Sequence, residues 1–375
     1  MSLATPAKVE KLRKALHAKA KAEAEFRFYQ LYDKVYREDI LTHAWRLCRA
    51  NGGAAGVDGQ GFAEIESMGL EGWLGELAET LRNKTYRTSA VRRVWIEKAN
   101  GKQRPLGIPT IRDRVVQTAV VLILEPIFEA DLLPEQYAYR PNRSALDAVQ
   151  HVHALVRRGY DEVVDADLSG YFDSIPHAEL MRSVARRISD RHLLALIKQW
   201  LVVAVEEDDG YGGVRRTTRA KDEKRGVPQG APISPLLANL YMRRFVLGWK
   251  VLGHQRRLAA HVVNYADDCA PRRRTGGRKS SVQPCCTRDE GGPLGAAVQA
   301  EASNPPLLLP SREAVVSELG KGRARPCQVW TVESNVSEPL MKCRKRRDVV
   351  KTGGESLLRE ESGGHLLLFP TLSHH

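Results

Sequence analysis

The stretch "VVNYADDCAPRRRTGG", Val262 to Gly277, changes character in its middle. Val262, Val263 and Tyr265 carry the β-branched and aromatic side chains that suit a half-buried strand, and that strand ends on two adjacent acids, Asp267 and Asp268. From Ala270 onward the residues are arginine, glycine and serine, with no periodicity. Adjacent carboxylates repel one another, and a nearby divalent cation relieves the repulsion. A lone acidic pair reads most simply as a solvated turn, so a second acidic strand is needed to raise it above that. "VVDADLSGYFD", Val163 to Asp173, supplies one. Asp165 and Asp167 alternate onto one strand face, and Tyr171, Phe172 and Asp173 follow. Three carboxylates from two strand ends could hold two Mg²⁺ ions, an arrangement that activates an attacking hydroxyl and stabilises a leaving phosphate.

The whole chain has 375 residues and a formal charge of +13. That length allows two or three domains, and the charge points to a polyanionic partner, nucleic acid first. Residues 269–375 hold 17 Lys/Arg and 11 Asp/Glu, a net +6 against +7 for the preceding residues, so charge alone locates no binding surface. No apolar run reaches membrane-spanning length. The Ala/Lys-rich start contains Glu10, Glu23 and Glu25 and lacks the apolar core of a signal peptide. A cytoplasmic protein with no membrane partner is therefore expected. Of six cysteines only Cys48 precedes the double acid. No C-x-x-C pair occurs and His365, His374 and His375 have no zinc-like spacing, which argues against a metal finger, and a cytoplasmic setting argues against a disulfide framework.

Good helix formers make residues 7–50 helical, and "NGGAAGVDG" after them is a glycine-rich turn region. A second amphipathic helix is expected over 71–81. Val91 to Glu97 and a return ending at Pro109 form a hairpin around Asn100-Gly101. Arg112 to Phe128 is a long apolar helix. Ser144 and Asp147 resemble a capping box for a helix to Arg158, and Asp190 suits an N-cap. Strands are expected over 162–167 and 261–266. Helices are expected over 177–188 and 190–203, and another through Leu247 opens with Ser234 as cap and Pro235 first. This interleaving without a clean β-α-β repeat predicts an α+β fold.

The last 107 residues contain neither Ile nor Tyr, and their aromatics are Trp330 and Phe369. Clumped leucines and five cysteines are unlike a solvating tail. The mixture fits a GC-rich gene read in the wrong frame, so a largely disordered or non-native tail is expected.

Beyond the two acidic blocks, four more occur in order: "AGVDG", "RPLGIPTIRDRVVQ", "YAYRPNRSALDAV" and "GVPQGAPISPLLANLYM". Together the six blocks, across about residues 25–268, resemble the reverse transcriptases encoded by bacterial group II introns. The resemblance implies a right-hand polymerase that copies RNA into DNA and, as a maturase, assists splicing of its intron. Its partners would be intron RNA as template, a DNA primer and deoxynucleoside triphosphates, with two Mg²⁺ ions as cofactor. The implied organisation is a basic helical extension (1–50), fingers (51–160) and a partial palm (161–268). Residues 269–375 would replace the end of the palm, the thumb and the maturase domain.

The same resemblance assigns residues. Asp167, Asp267 and Asp268 match the catalytic, metal-binding aspartates, and Leu168 would add a backbone carbonyl to the metal site. Lys98 and Arg104 match the basic residues that grip the triphosphate, where Arg offers a bidentate fork and Lys a point charge. Phe172 matches the bulky residue beneath the sugar, with core packing as its competitor, and Gln229 matches a residue of the nucleotide pocket. Arg112 and Arg114 are placed on template phosphate, against a surface salt bridge. Asp165 reads as a polar partner at the strand edge.

In the family the strand after the double acid is apolar and completes a hairpin. Here "CAPRRRTGGRK" stands in its place, and Pro271 and the consecutive arginines do not suit a buried strand. The supporting hairpin is thus expected to be half missing, and the protein truncated and weakly active or inactive. The alternative is a non-catalytic fragment that binds intron RNA. Retron, diversity-generating and CRISPR-linked reverse transcriptases share the architecture, and "GVDG" with "RPLGIP" weighs towards the intron type.

Overall fold

The computed structural model describes residues 3–97, 101, 103–160, 162–164, 166–168, 170–211, 213–269, 272–273, 329–332 and 343–345. Five helices come first: α1 (Ala7–Ala22), α2 (Tyr32–Val35), α3 (Glu38–Asn51), α4 (Phe62–Ser67) and α5 (Leu70–Arg82). The hairpin β1 (Val91–Glu97) and β2 (Gln103–Ile108) leads into α6 (Ile111–Glu129). Val115, Val116, Val120, Ile123, Leu124 and Ile127 of α6 are all buried. A helix apolar around its circumference belongs inside a core, and α1 and α3 pack over this one. Thr110 caps it, its hydroxyl accepting the Asp113 N–H at 3.1 Å.

The capping box opening α7 (Ala145–Arg157) forms as expected: the Ser144 hydroxyl accepts from the Asp147 N–H, and the Asp147 carboxylate accepts from the Ser144 N–H at 2.7 Å. Then follow β3 (Glu162–Val164), β4 (Ala166–Asp167), α8 (Tyr171–Ser174), α9 (His177–Ala185) and α10 (Arg191–Leu201). Asp190 caps α10 and does more. Its carboxylate accepts from His192 and Leu193 in its own helix and from Leu31 and Tyr32 at the start of α2. The fully buried Arg187 donates to the carbonyls of Ala20, Glu23 and Ala24 where α1 ends, a cation at the negative pole of that helix.

A second hairpin, β5 (Val205–Asp208) and β6 (Val214–Thr217), has no counterpart in the sequence-based expectation, because its charged strands bury little and show no apolar alternation. After α11 (Arg219–Glu223) and α12 (Ser234–Val251) come α13 (His254–Arg257) and four short strands: β7 (Ala260–His261), β8 (Asn264–Tyr265), β9 (Asp268–Cys269) and β10 (Arg272–Arg273). Ser234 is not the cap of α12. It lies inside the first turn and its hydroxyl donates to the Pro228 carbonyl at 2.6 Å, tying the preceding Gly/Pro loop to the helix.

The described strands form three sheets in an α+β arrangement. One has the order β2-β1-β5-β6, with β1 antiparallel to β2 and parallel to β5. A second runs β12 (Cys343–Lys345)-β11 (Val329–Val332)-β3-β10-β7, and a third is β4-β9-β8. The segments expected as single strands, 162–167 and 261–266, are each split between the second and third sheets. Three pieces of the C-terminal stretch, β10, β11 and β12, therefore join the sheet that contains β3, Cys269 belongs to β9, and the rest of that stretch lies outside the described residues.

Candidate active site

Tyr265 pairs with Asp268, and Asn264 with Cys269, so β8 and β9 are joined by the two-residue loop Ala266-Asp267. Ala266 has φ +57°, a left-handed conformation typical of the first position of such tight hairpins but uncommon for a residue with a Cβ. On its other side β9 pairs with β4, placing Asp167 directly opposite Asp268. The Leu168 N–H donates to the Asp267 carbonyl at 3.3 Å, extending that pairing past the strand end. The three acids singled out from sequence thus meet at one end of one small sheet. Hard carboxylate oxygens from adjacent strands are the donor set a divalent cation takes. Among the described side chains no group of three or more His, Cys, Asp or Glu could hold a metal ion, so the convergence rests on the backbone register.

The return strand expected to be missing is present. Asp268–Cys269 pairs on both sides, and Arg272 pairs with Val163 of β3 and His261 of β7. Strand pairing uses backbone N–H and C=O groups, which arginine supplies as well as valine does; the apolar pattern reports burial and not pairing. Pairing behind the double acid is therefore seen at Asp268–Cys269 and again at Arg272–Arg273, and the change of character at Asp268 is not its end.

The far edge of β8 is held by the segment 135–137. The Asn264 N–H donates to the Glu135 carbonyl at 2.9 Å, and the Tyr137 N–H donates to the Asn264 carbonyl at 3.0 Å. This segment is locked to α12 in turn: the Gln136 amide donates to the Asn239 carbonyl and the Asn239 amide to the Ala138 carbonyl. Gln136, Tyr137, Ala138, Asn239 and Asn264 are all buried. Two residues on, Tyr139 has φ +55° and a half-exposed ring. Partial burial raises its hydroxyl pKa, the charges of Asp267 and Asp268 raise it further, and Arg104 opposes them. Arg104, exposed on β2, and the double acid therefore act on one tyrosine with opposite signs. Nothing in the letters "YAY" marks Tyr139 as a bulky residue in the left-handed region.

Phe172 is half-buried against the main core and in edge contact with Tyr171, so its packing role is real. Its carbonyl also accepts the Val227 N–H at 2.8 Å, which docks the "GVPQG" loop beside it. Gln229 donates its side-chain amide to Asp173 at 3.2 Å, and its carbonyl accepts the Gly107 N–H of β2 at 2.8 Å. Gly230 has φ +100°, and a Cβ there would lie 2.7 Å from the Gly107 carbonyl oxygen. The loop thus spans from β2 to the segment that follows the first acidic strand. Arg93, half-buried on β1, faces Asp173 and Glu207; desolvation lowers its pKa and the two acids counter that.

Lys98 lies outside the described residues. Arg112 is half-buried, donating to the Thr80 hydroxyl at 3.1 Å and lying over the Tyr86 ring. Arg114 corrects the expectation for it. It is buried, and its guanidinium donates to the carbonyls of Gly52 and Ala54 rather than facing outward to a phosphate. Arg92 does the same to the Ala55 carbonyl at 2.7 and 3.0 Å. Two arginines thus brace the glycine-rich loop, whose unpaired carbonyls need donors.

Residues 96–271 match the family described as reverse transcriptase (RNA-dependent DNA polymerase). Protein YkfC of Escherichia coli (strain K12) is 35% identical over 243 residues, covering 63% of this chain and 61% of that protein. The group II intron-encoded protein LtrA of Lactococcus lactis subsp. cremoris is 33% identical over 229 residues, covering 60% of this chain and 36% of that protein. The chain thus spans less than two thirds of either relative. Among solved structures, a partial Cas6-RT-Cas1–Cas2 complex overlays with a TM-score of 0.40 at 21% identity, covering 65% of this chain and 38% of that one.

Proposed function

We propose that this chain, whose residues 96–271 match the reverse transcriptase family, a family that uses divalent metals, is the RNA-directed DNA polymerase of a group II intron, with two Mg²⁺ ions held by Asp167, Asp267 and Asp268. The observation that carries the reading is the pairing of Asp167 with Asp268 beside the loop that bears Asp267. When bound, the metal ions lower the pKa of the primer hydroxyl and neutralise charge on the leaving phosphates. The chain's own residues do the rest. Arg104, with Lys98, binds the triphosphate; Phe172 bears on the sugar; Gln229, fixed by Asp173 and by Gly107, lines the nucleotide pocket. Leu168 keeps a carbonyl next to Asp167, and one of its lone pairs is taken by the Tyr171 N–H. Template would be intron RNA and primer DNA, with Arg112 beside the template path.

Primer extension on an RNA template tests this. Mg²⁺-dependent extension that falls at least a hundredfold in Asp267→Ala supports it, and extension that survives both Asp267→Ala and Asp268→Asn overturns it. The net charge of +13 favours a second reading, a non-catalytic protein that binds intron RNA. RNA binding that weakens with salt and is unchanged in Asp167→Ala, with no extension by the unmodified chain, would select it.

A further inference from the structure

The two-residue loop that carries Asp267 is held by more than its strand pairing. Ala266 sits at φ +57°, where an L-residue stays under constraint. Asn264 supplies the constraint. Its side-chain amide donates one N–H to the Ala266 carbonyl at 2.9 Å and the other to the Asp268 carbonyl at 3.2 Å. The residue is 1% exposed, and its own backbone is bonded to Glu135 and Tyr137, in a segment whose Gln136 and Ala138 are bonded to Asn239 of α12. A rigid frame therefore reaches the turn through one amide. The choice of side chain follows from the chemistry: two carbonyl acceptors need two donors on one atom. Serine offers one, and aspartate would set a further negative charge against the carbonyls and the acids.

We propose that Asn264 is a positioning residue for the metal-binding acids: it fixes the Ala266-Asp267 turn so that Asp267 and Asp268 are presented together to a divalent cation. The inference rests on the reading of Asp167, Asp267 and Asp268 as a metal site. Groups that orient metal ligands typically change affinity by about 10- to 100-fold when removed.

Mn²⁺ binding to the full purified chain, followed by electron paramagnetic resonance without nucleic acid, provides the test, with thermal unfolding in parallel. Asn264→Leu, which keeps the branched heavy-atom shape and removes both donors, should weaken Mn²⁺ at least tenfold, and Asn264→Ser, with one donor, should fall between it and the unmodified chain. Leu155→Ala, in the small core cluster beneath the same region, should lower the unfolding temperature while Mn²⁺ affinity stays within twofold. If Asn264→Leu and Asn264→Ser lower only the unfolding temperature, Asn264 is merely structural and the proposal falls. If Asn264→Leu does not fold, Asn264→Ser decides alone. Asp268→Asn separates the two layers: unchanged Mn²⁺ affinity in that variant would remove the metal site itself, and the proposal with it.

Discussion

The side-chain amide of Gln229 and the carboxylate of Asp173 are hydrogen-bonded at 3.2 Å, joining the loop before α12 to the segment after the first acidic strand. The contact is partly solvent-exposed, so its loss should cost the fold little, on the order of 0.5–1.5 kcal/mol. Its effect should fall on nucleotide binding. Gln229→Ala is expected to raise the KM for deoxynucleotides several-fold with a smaller change in kcat, read from steady-state primer extension.

Gly230 should not tolerate a side chain. Alanine there combines φ +100° with a Cβ 2.7 Å from a backbone oxygen that cannot move aside as a side chain would. Gly56→Ala meets the same obstacle at Thr110, whose Cα would lie 2.6 Å away. Each variant should lose about 2 kcal/mol or more in urea unfolding, while Gly75→Ala, where no atom lies within 4 Å, should be neutral or slightly stabilising.

Asp190 should make stability fall at low pH. Burial pushes its pKa up, but the four backbone N–H donors outweigh that and hold it below the usual carboxylate value. Its contribution is therefore complete above pH ~4 and is lost as pH drops through the lower, folded-state value. Asp190→Ala should cost about 2–4 kcal/mol at pH 7 and flatten the acid limb of the stability curve measured by urea titrations.

Asp113 should act in the opposite sense. Burial raises its pKa, and the donors from Tyr86 and Ser89 only partly offset this. The folded state then holds a proton more firmly than the unfolded chain. The stabilisation from protonated Asp113 is present below pH ~4 and disappears as pH rises through the elevated folded-state value. Removing the group by Asp113→Asn should abolish that component of the pH slope, although an amide N–H then competes with the donors facing it.

Much of the site was legible because its chemistry is written in short blocks. "YADD" and "DADLSGYFD" placed Asp167, Asp267 and Asp268 at strand ends, and the backbone register joins them. Helix ends governed by local rules, such as Ser144 with Asp147 and Asp190, were readable for the same reason. What sequence hid was long-range. Arg114 looked like a surface cation at a helix start and is spent on carbonyls some 60 residues earlier. The arginines after Asp268 looked unfit for a strand because apolar pattern stood in for pairing. The β5–β6 hairpin, Tyr139 and the Asn264 brace leave no periodic or compositional trace at all.

The pairing of Asp167 with Asp268 joins positions about a hundred residues apart, whereas α6 lies mainly against α1, α2 and α3, which precede it in the chain. Synthesis runs from the N-terminus, so as the chain leaves the ribosome the partners of α6 already exist to cover it. The two acidic strands, by contrast, can meet only after everything between them has emerged, and closing so long a loop is slow. The proposed metal-binding end of the molecule therefore assembles after the helical body, and a ribosome that stalls before residue 268 leaves behind a shielded helical body in which the two acidic strands have never met.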